Sequence, residues 1–218
     1  MTDDVRTQVV DACHRLAAEG LLIGTAGNVS VRVGDRVAVT ATGAVLGELT
    51  ADQVVEVGLD GRLVAGDLLP TSEVALHVAV YEKHDVGAIV HAHAPVSTAA
   101  SISLDEIPVV HYQQLLLGGA VRVAPYATFG TPELAHHVVA ALEGRTAALM
   151  ANHGSVAVGA TLAKAVEHAL LLEWLCTVYR DALAMGRPVV LSAQQQEDVI
   201  TAAITRNYGT VQEAGENQ

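Results

Sequence analysis

Apolar residues first recur at helical spacing. Val5, Val9, Cys13 and Leu16 share one face, which predicts a helix from about Asp4 to Glu19, stopped by Gly20. Alternation with a period of two follows. Val29–Val33 and Val37–Thr40 read as strands around Gly34-Asp35, and Val54–Leu59 and Arg62–Val64 flank Asp60-Gly61, so two hairpins are predicted. Pro70-Thr71-Ser72 starts a helix that reaches about His84. The segment AIVHAHA, Ala88–Ala94, alternates along its whole length and predicts a strand. A loop with Pro108 leads to short strands near Val109 and over Val121–Val123. Thr131 and Pro132 suit the cap and first position of a helix ending near Gly144. Ala147–Met150 and Ser155–Val158 read as strands around Asn152-His153-Gly154. Thr161 caps a long helix to about Met185, and Ser192 with Gln195 forms a capping box for a last helix ending near Gly209.

No repeat or linker interrupts this order. Hairpins with interspersed helices predict one α/β domain, residues 1–209, with a mainly antiparallel sheet and helices on both faces. The segment TVQEAGENQ, 210–218, reads as a flexible tail.

Composition narrows the function. Of 218 residues, 51% are apolar, enough for a sizeable core and against intrinsic disorder. The net charge of −12 offers no basic footprint for nucleic acid or an anionic membrane. Aromatics are only 3%, too few for base-stacking platforms. Cys13 and Cys176 sit in apolar periodic segments and make no disulfide framework, which fits a reduced cytoplasmic protein. The start, MTDDVRTQVV, lacks a signal-peptide pattern, and the apolar runs, such as that near Ala169–Leu172, are far too short to span a membrane. Low charge with much Ala and Val also fits apolar surface buried between subunits.

Ten histidines are many for this length. His91 and His93 stand two apart on a strand, so both imidazoles project from one face at the reach of a single metal ion. Two hydrogen-bonded histidines at a strand end would look the same. His153, in a Gly-flanked turn, is a third candidate ligand or a turn histidine bonded to backbone. Three histidines with an open position match a catalytic zinc site. Glu73 near its helix start is either the candidate base or a residue favoured by the helix dipole. His77, four residues on, reads as core or as support for the site. His14, His84, His136, His137 and His168 read as surface or packing. Gly27-Asn28, Thr42-Gly43 and Thr71-Ser72 are small-residue loops that could bind a phosphate without Lys or Arg, or be plain turns. No nucleotide-binding glycine motif is present.

In order along the chain stand GTAGNVSVR, TATG, PTSE, IVHAHAP, IPVVHYQQLLLGG, APYATFGTPELA and ANHG. This set, covering about Leu21 to Gly209, resembles the class II aldolase/epimerase (adducin-like aldolase) family, closest to its fuculose-phosphate branch. The resemblance implies a three-layer α/β/α fold on a nine-stranded, mainly antiparallel sheet, and a C4 homotetramer with active sites between subunits. It implies Zn2+ held by His91, His93 and His153, with Glu73 as a further ligand that also acts as base. Gly27, Asn28, Thr42, Gly43, Thr71 and Ser72 match the phosphate-binding loops, with Thr-Ser where the family usually has Ser-Ser. Tyr112 matches a proton donor from the adjacent subunit. Phe129 and Tyr208 match residues shaping the aldehyde pocket. The branch carries a phenylalanine three residues before that tyrosine, where this chain has Thr205, which leaves the aldehyde open.

The implied reaction is reversible cleavage of a ketose 1-phosphate, of the L-fuculose 1-phosphate type, to dihydroxyacetone phosphate and a short aldehyde such as L-lactaldehyde. Rival readings are an L-ribulose-5-phosphate 4-epimerase or a sugar-phosphate dehydratase of the same superfamily. The epimerase branch resembles HTHS…THADYF, whereas this chain has HAHA…VHYQQLLLGG. Outside the superfamily's chemistry stand a zinc hydrolase and a non-catalytic assembly module, and the retained histidines and Glu73 speak against the latter.

Overall fold

A single sheet runs through the computed structural model, which describes residues 3–211. Its strands are β1 (Asn28–Val33), β2 (Arg36–Thr40), β3 (Val54–Gly58), β4 (Leu63–Ala65), β5 (Ala88–Ala92), β6 (Glu106–Ile107), β7 (Val121–Ala124), β8 (Ala147–Met150) and β9 (Gly154–Gly159). They lie in the order β4-β3-β2-β1-β5-β9-β8-β7-β6. Neighbours are antiparallel except β7 and β8, which are parallel. The helices are α1 (Asp3–Ala18), α2 (Val74–Lys83), α3 (Pro95–Ser103), α4 (Pro132–Ala141), α5 (Leu162–Met185) and α6 (Ala193–Thr205).

The strands at the centre are apolar on both faces, so each face needs a cover. On one face Val9, Cys13 and Leu16 of α1 and Leu172 and Leu175 of α5 pack on Val29, Val90 and Leu149. On the other, Leu76 and Val80 of α2 and Leu134 and Val138 of α4 pack on Val39, Ile89 and Met150. This is the three-layer α/β/α arrangement. The two cysteines are free and buried, and burial pushes the Cys13 thiol up to about 12.

Three local expectations shift. The segment after β5 is helical from Pro95, not a loop. It is rich in Ser and β-branched residues, and its start depends on the Glu173 carboxylate of α5, which accepts the Val96 and Ser97 N–H groups at 2.9 and 2.8 Å. That helix also ends β5 at Ala92, leaving His93 just past the strand. The strand expected near Val109 forms earlier, at Glu106–Ile107, while Val109 is buried and its carbonyl accepts from Leu191 N at 2.8 Å. Helix α2 begins at Val74, because the Thr71 hydroxyl accepts the Glu73 N–H at 3.3 Å and closes a turn before the helix. Of the expected tail, residues 212–218 lie outside the described residues.

Candidate active site

The site sits on the α2 side of the sheet, where β1 and β5 pair. Asn28 lies directly opposite His91 in the antiparallel register, and Ser30 opposite Ile89. Ala88, Val90 and Ala92 of β5 face the other core, so His91 projects toward α2. Gly27 turns the chain into β1 at φ +94°, and a Cβ there would stand 2.8 Å from the His91 carbonyl oxygen. Beside β9, a Cβ on Gly154 would stand 2.5 Å from the Ala92 oxygen, so the turn carrying His153 can lie close against β5 only with glycine there.

His91, His93 and His153 offer ligand nitrogens that all lie within 4.8 Å of one another. The His91 and His93 Nε2 atoms are 2.9 Å apart. His91 Nδ1 donates to the Ser155 carbonyl oxygen at 2.8 Å, which turns Nε2 inward. Glu73 completes the cluster. Its Oε2 is 3.0 Å from His91 Nε2 and its Oε1 3.6 Å from His153 Nε2. Oε1 is buried without a hydrogen-bond partner. Three convergent imidazoles, a carboxylate with an orphaned buried oxygen and a backbone carbonyl that orients His91 fit a divalent cation of the zinc type.

The electrostatics agree with a site built around charge. Burial pushes the Glu73 carboxyl up, but His91 beside it and the Asn28 amide outweigh burial and hold it well below the usual carboxylate range. Burial lowers His91, yet Glu73 more than offsets this and His91 is raised. His93 is held down to about 4 by burial and by its two imidazole neighbours. Glu73 occupies the position before the first residue of α2, but its side chain caps nothing there and turns to the histidines.

The three small-residue loops converge. The Thr71 N–H donates to the Thr40 oxygen at 3.1 Å and the Thr42 N–H to Leu69 at 3.0 Å, so the turn before α2 lies along the end of β2. Gly27, Asn28, Thr42, Gly43, Thr71 and Ser72 line one open cavity of about 300 Å³ with Glu73, His93 and His153. Phe129 and Tyr126 form part of its wall. Tyr112 and Tyr208 are placed elsewhere. Their hydroxyls are 3.1 Å apart, both rings are exposed, and they line a separate apolar cavity of about 410 Å³ with Leu116, Ile200 and Ile204. Thr205, on α6, bonds its hydroxyl to the Thr201 oxygen.

Ser30 and Tyr81 went unnoticed in the sequence. Both are buried and bonded to each other at 2.7 Å, and Ser30 is bonded to His77. The available signal was spacing: Asn28 and Ser30 share a strand face, and Glu73, His77 and Tyr81 recur every four residues.

Residues 7–180 match the family model described as Class II Aldolase and Adducin N-terminal domain. The chain is 39% identical over 198 residues to a 5-methylthioribulose-1-phosphate/5-deoxyribulose-1-phosphate aldolase of Rhodospirillum rubrum, covering 90% of this chain and 89% of that protein. It is 40% identical over 204 residues to an L-fuculose phosphate aldolase of Escherichia coli K12, covering 93% and 94%. A solved structure of an L-fuculose 1-phosphate aldolase superposes with a TM-score of 0.89 at 34% identity, covering 93% of this chain and 97% of that one.

Proposed function

The chain belongs to the class II aldolase and adducin N-terminal domain family and is a class II aldolase, a lyase, and from that premise we propose that it cleaves a terminally deoxygenated ketose 1-phosphate to dihydroxyacetone phosphate and a short aldehyde. One observation carries this: Glu73, His93 and His153 line a single cavity with three loops of glycines and hydroxyl residues, and the buried His91 ring stands beside them, its ligand nitrogen within 4.8 Å of theirs. The substrates named for two relatives, L-fuculose phosphate and 5-deoxyribulose 1-phosphate, share a phosphorylated end and an apolar one. Here Phe129 and Ala127 add apolar wall to the cavity that the loops line.

His91, His93 and His153 would hold the cation, with Glu73 as a fourth ligand before substrate arrives. A divalent ion of the zinc type would supply Lewis-acid polarisation of the substrate's carbonyl oxygen. Asn28, Thr42, Gly43, Thr71 and Ser72 bind the phosphate through N–H and O–H donors. In the condensation direction the Glu73 carboxylate takes a proton from carbon 3 of dihydroxyacetone phosphate. The electron pair released forms the new bond to the aldehyde carbon. The Tyr112 hydroxyl gives its proton to the former aldehyde oxygen. Cleavage runs these transfers in reverse.

Tyr112 and Tyr208 act in a neighbour's site, so the working unit is an oligomer, which the family resemblance makes a homotetramer. Support for the shared site is their exposure on an apolar surface away from the cavity that holds Glu73. Among the described residues no helix is long and apolar enough to cross a membrane, and we place the enzyme in the cytoplasm.

A coupled assay for dihydroxyacetone phosphate tests the reaction, with L-fuculose 1-phosphate, 5-deoxyribulose 1-phosphate and L-ribulose 5-phosphate offered in parallel. Release from either of the first two is expected. Isomerisation of the third without release would make the enzyme an epimerase, and loss of water would make it a dehydratase.

A further inference from the structure

A line of buried polar groups crosses the apolar layer under α2 and ends on Glu73. Tyr81 Oη lies 2.7 Å from Ser30 Oγ, and Ser30 Oγ lies 2.7 Å from His77 Nδ1. His77 Nε2 bonds the Asn28 side-chain oxygen, and Asn28 Nδ2 donates to Glu73 Oε2 at 2.9 Å. Asn28, Ser30, His77 and Tyr81 are all buried, His77 and Ser30 completely. Such a line is costly in a core that Leu76 and Val80 otherwise fill, unless every member is bonded.

The direction of each bond follows from the last. An ionised carboxylate only accepts, so Asn28 must turn its NH2 toward Glu73 and its oxygen toward His77. That oxygen needs a donor, so His77 carries its proton on Nε2. A neutral ring then leaves Nδ1 as an acceptor, which takes the Ser30 O–H, and Ser30 Oγ in turn takes the Tyr81 O–H. All four bonds point toward the carboxylate. We propose that His77, held by Ser30 and Tyr81, is a positioning residue: it locks the Asn28 amide with its donor edge on Glu73, and so fixes the carboxylate that removes the substrate's proton. Without that lock the amide can turn over and set its oxygen against the carboxylate. Burial pushes His77 down to about 3, which keeps the ring neutral as the direction requires.

This inference rests on Glu73 being the base, and the experiment separates the two. Nitrogen-15 NMR of the full chain, stripped of metal, reads the tautomer without any turnover. From about pH 6 to pH 8, where a free imidazole titrates, His77 should keep its proton on Nε2 and none on Nδ1. A proton on Nδ1, or an imidazolium, overturns the chain of donors. The second readout is exchange of the carbon-bound proton of dihydroxyacetone phosphate into deuterated water, with no aldehyde present. His77→Phe should lower the maximal exchange rate by about 10-fold or more while KM moves less than about 3-fold. His77→Gln, whose amide can donate to Asn28 and accept from Ser30, should recover much of that loss. A folded, metal-loaded His77→Phe protein with an unchanged rate overturns the role, as does a His77→Gln protein no better than it. If His77→Phe does not fold, Tyr81→Phe decides: it removes only the leading hydroxyl, and an unchanged rate there counts against the chain. Glu73→Gln serves as control, since full exchange in that variant would remove the base itself and not merely its support.

Discussion

Glu73 meets His91 through one oxygen, Oε2 at 3.0 Å from Nε2, while its Oε1 is buried with no hydrogen-bond partner. A buried carboxylate oxygen without a donor costs free energy that a cation or a substrate proton can recover. The same carboxylate is held ionised by His91 and Asn28, so it is free of a proton but weakly basic until those contacts loosen.

Glu73→Gln keeps the shape and the Asn28 contact side but removes the accepting charge. Turnover should fall about 100- to 10,000-fold, the range expected for losing a general base, with the fold intact. Steady-state cleavage beside a circular-dichroism melt checks this, and near-normal turnover in folded Glu73→Gln protein rules out the base assignment.

Tyr112→Phe should also be nearly inactive, because the aldehyde oxygen loses its proton donor. Mixing it with Glu73→Gln and allowing subunits to exchange should restore activity. Mixed assemblies then contain sites with Glu73 from one chain and Tyr112 from another. Mixtures as inactive as their components would place both groups in the same chain's site.

The strand hairpins, α5 and the two-apart histidines at the end of β5 were legible because they rest on short-range rules: turn residues, a glycine stop and the period of two. Convergence of the Gly27, Thr42 and Thr71 loops was not legible, since it depends on the bonds between Thr40 and Thr71 and between Thr42 and Leu69. Helix α3 was missed for the same reason, its cap being Glu173, 77 residues from Val96. His77 could be placed on the face of Glu73 by spacing alone. Its partner Ser30, 47 residues away, became visible only when β1 and α2 were stacked.

Stability should fall in mild acid. His77 has an ordinary value of 6.5 and about 3 when folded, so between these the unfolded chain binds a proton that the folded chain does not. Stability from this group is full above about pH 6.5 and is lost as pH falls, by up to about 1.4 kcal/mol per unit. His93, lowered to about 4, acts with the same sign. His91, which is raised, acts oppositely as pH rises. Urea unfolding of the metal-free protein between about pH 4.5 and 6.5 should therefore show a shallower slope in His77→Gln than in the parent. Equal slopes would mean that His77 is protonated when folded.

Gly27→Ala should destabilise by about 1–3 kcal/mol, since the position has φ +94° and its Cβ would crowd the His91 oxygen and the Leu22 side chain. At roughly 2–4 °C per kcal/mol, a thermal melt resolves the change. Gly20→Ala, also at positive φ but with nothing within 4 Å, isolates the strain from the clash and should cost less.

Metal dependence of carbon–carbon cleavage is the most direct test of the whole site. The protein is stripped with a chelator, titrated with zinc, and followed by dihydroxyacetone phosphate release from L-fuculose 1-phosphate and 5-deoxyribulose 1-phosphate, beside a His153→Ala variant. Activity should vanish on stripping, return in proportion to zinc up to one ion per chain, and stay low in His153→Ala at the same zinc level. Cleavage that survives complete stripping, or that His153→Ala leaves unchanged, would contradict a metal-assisted aldolase built on these residues.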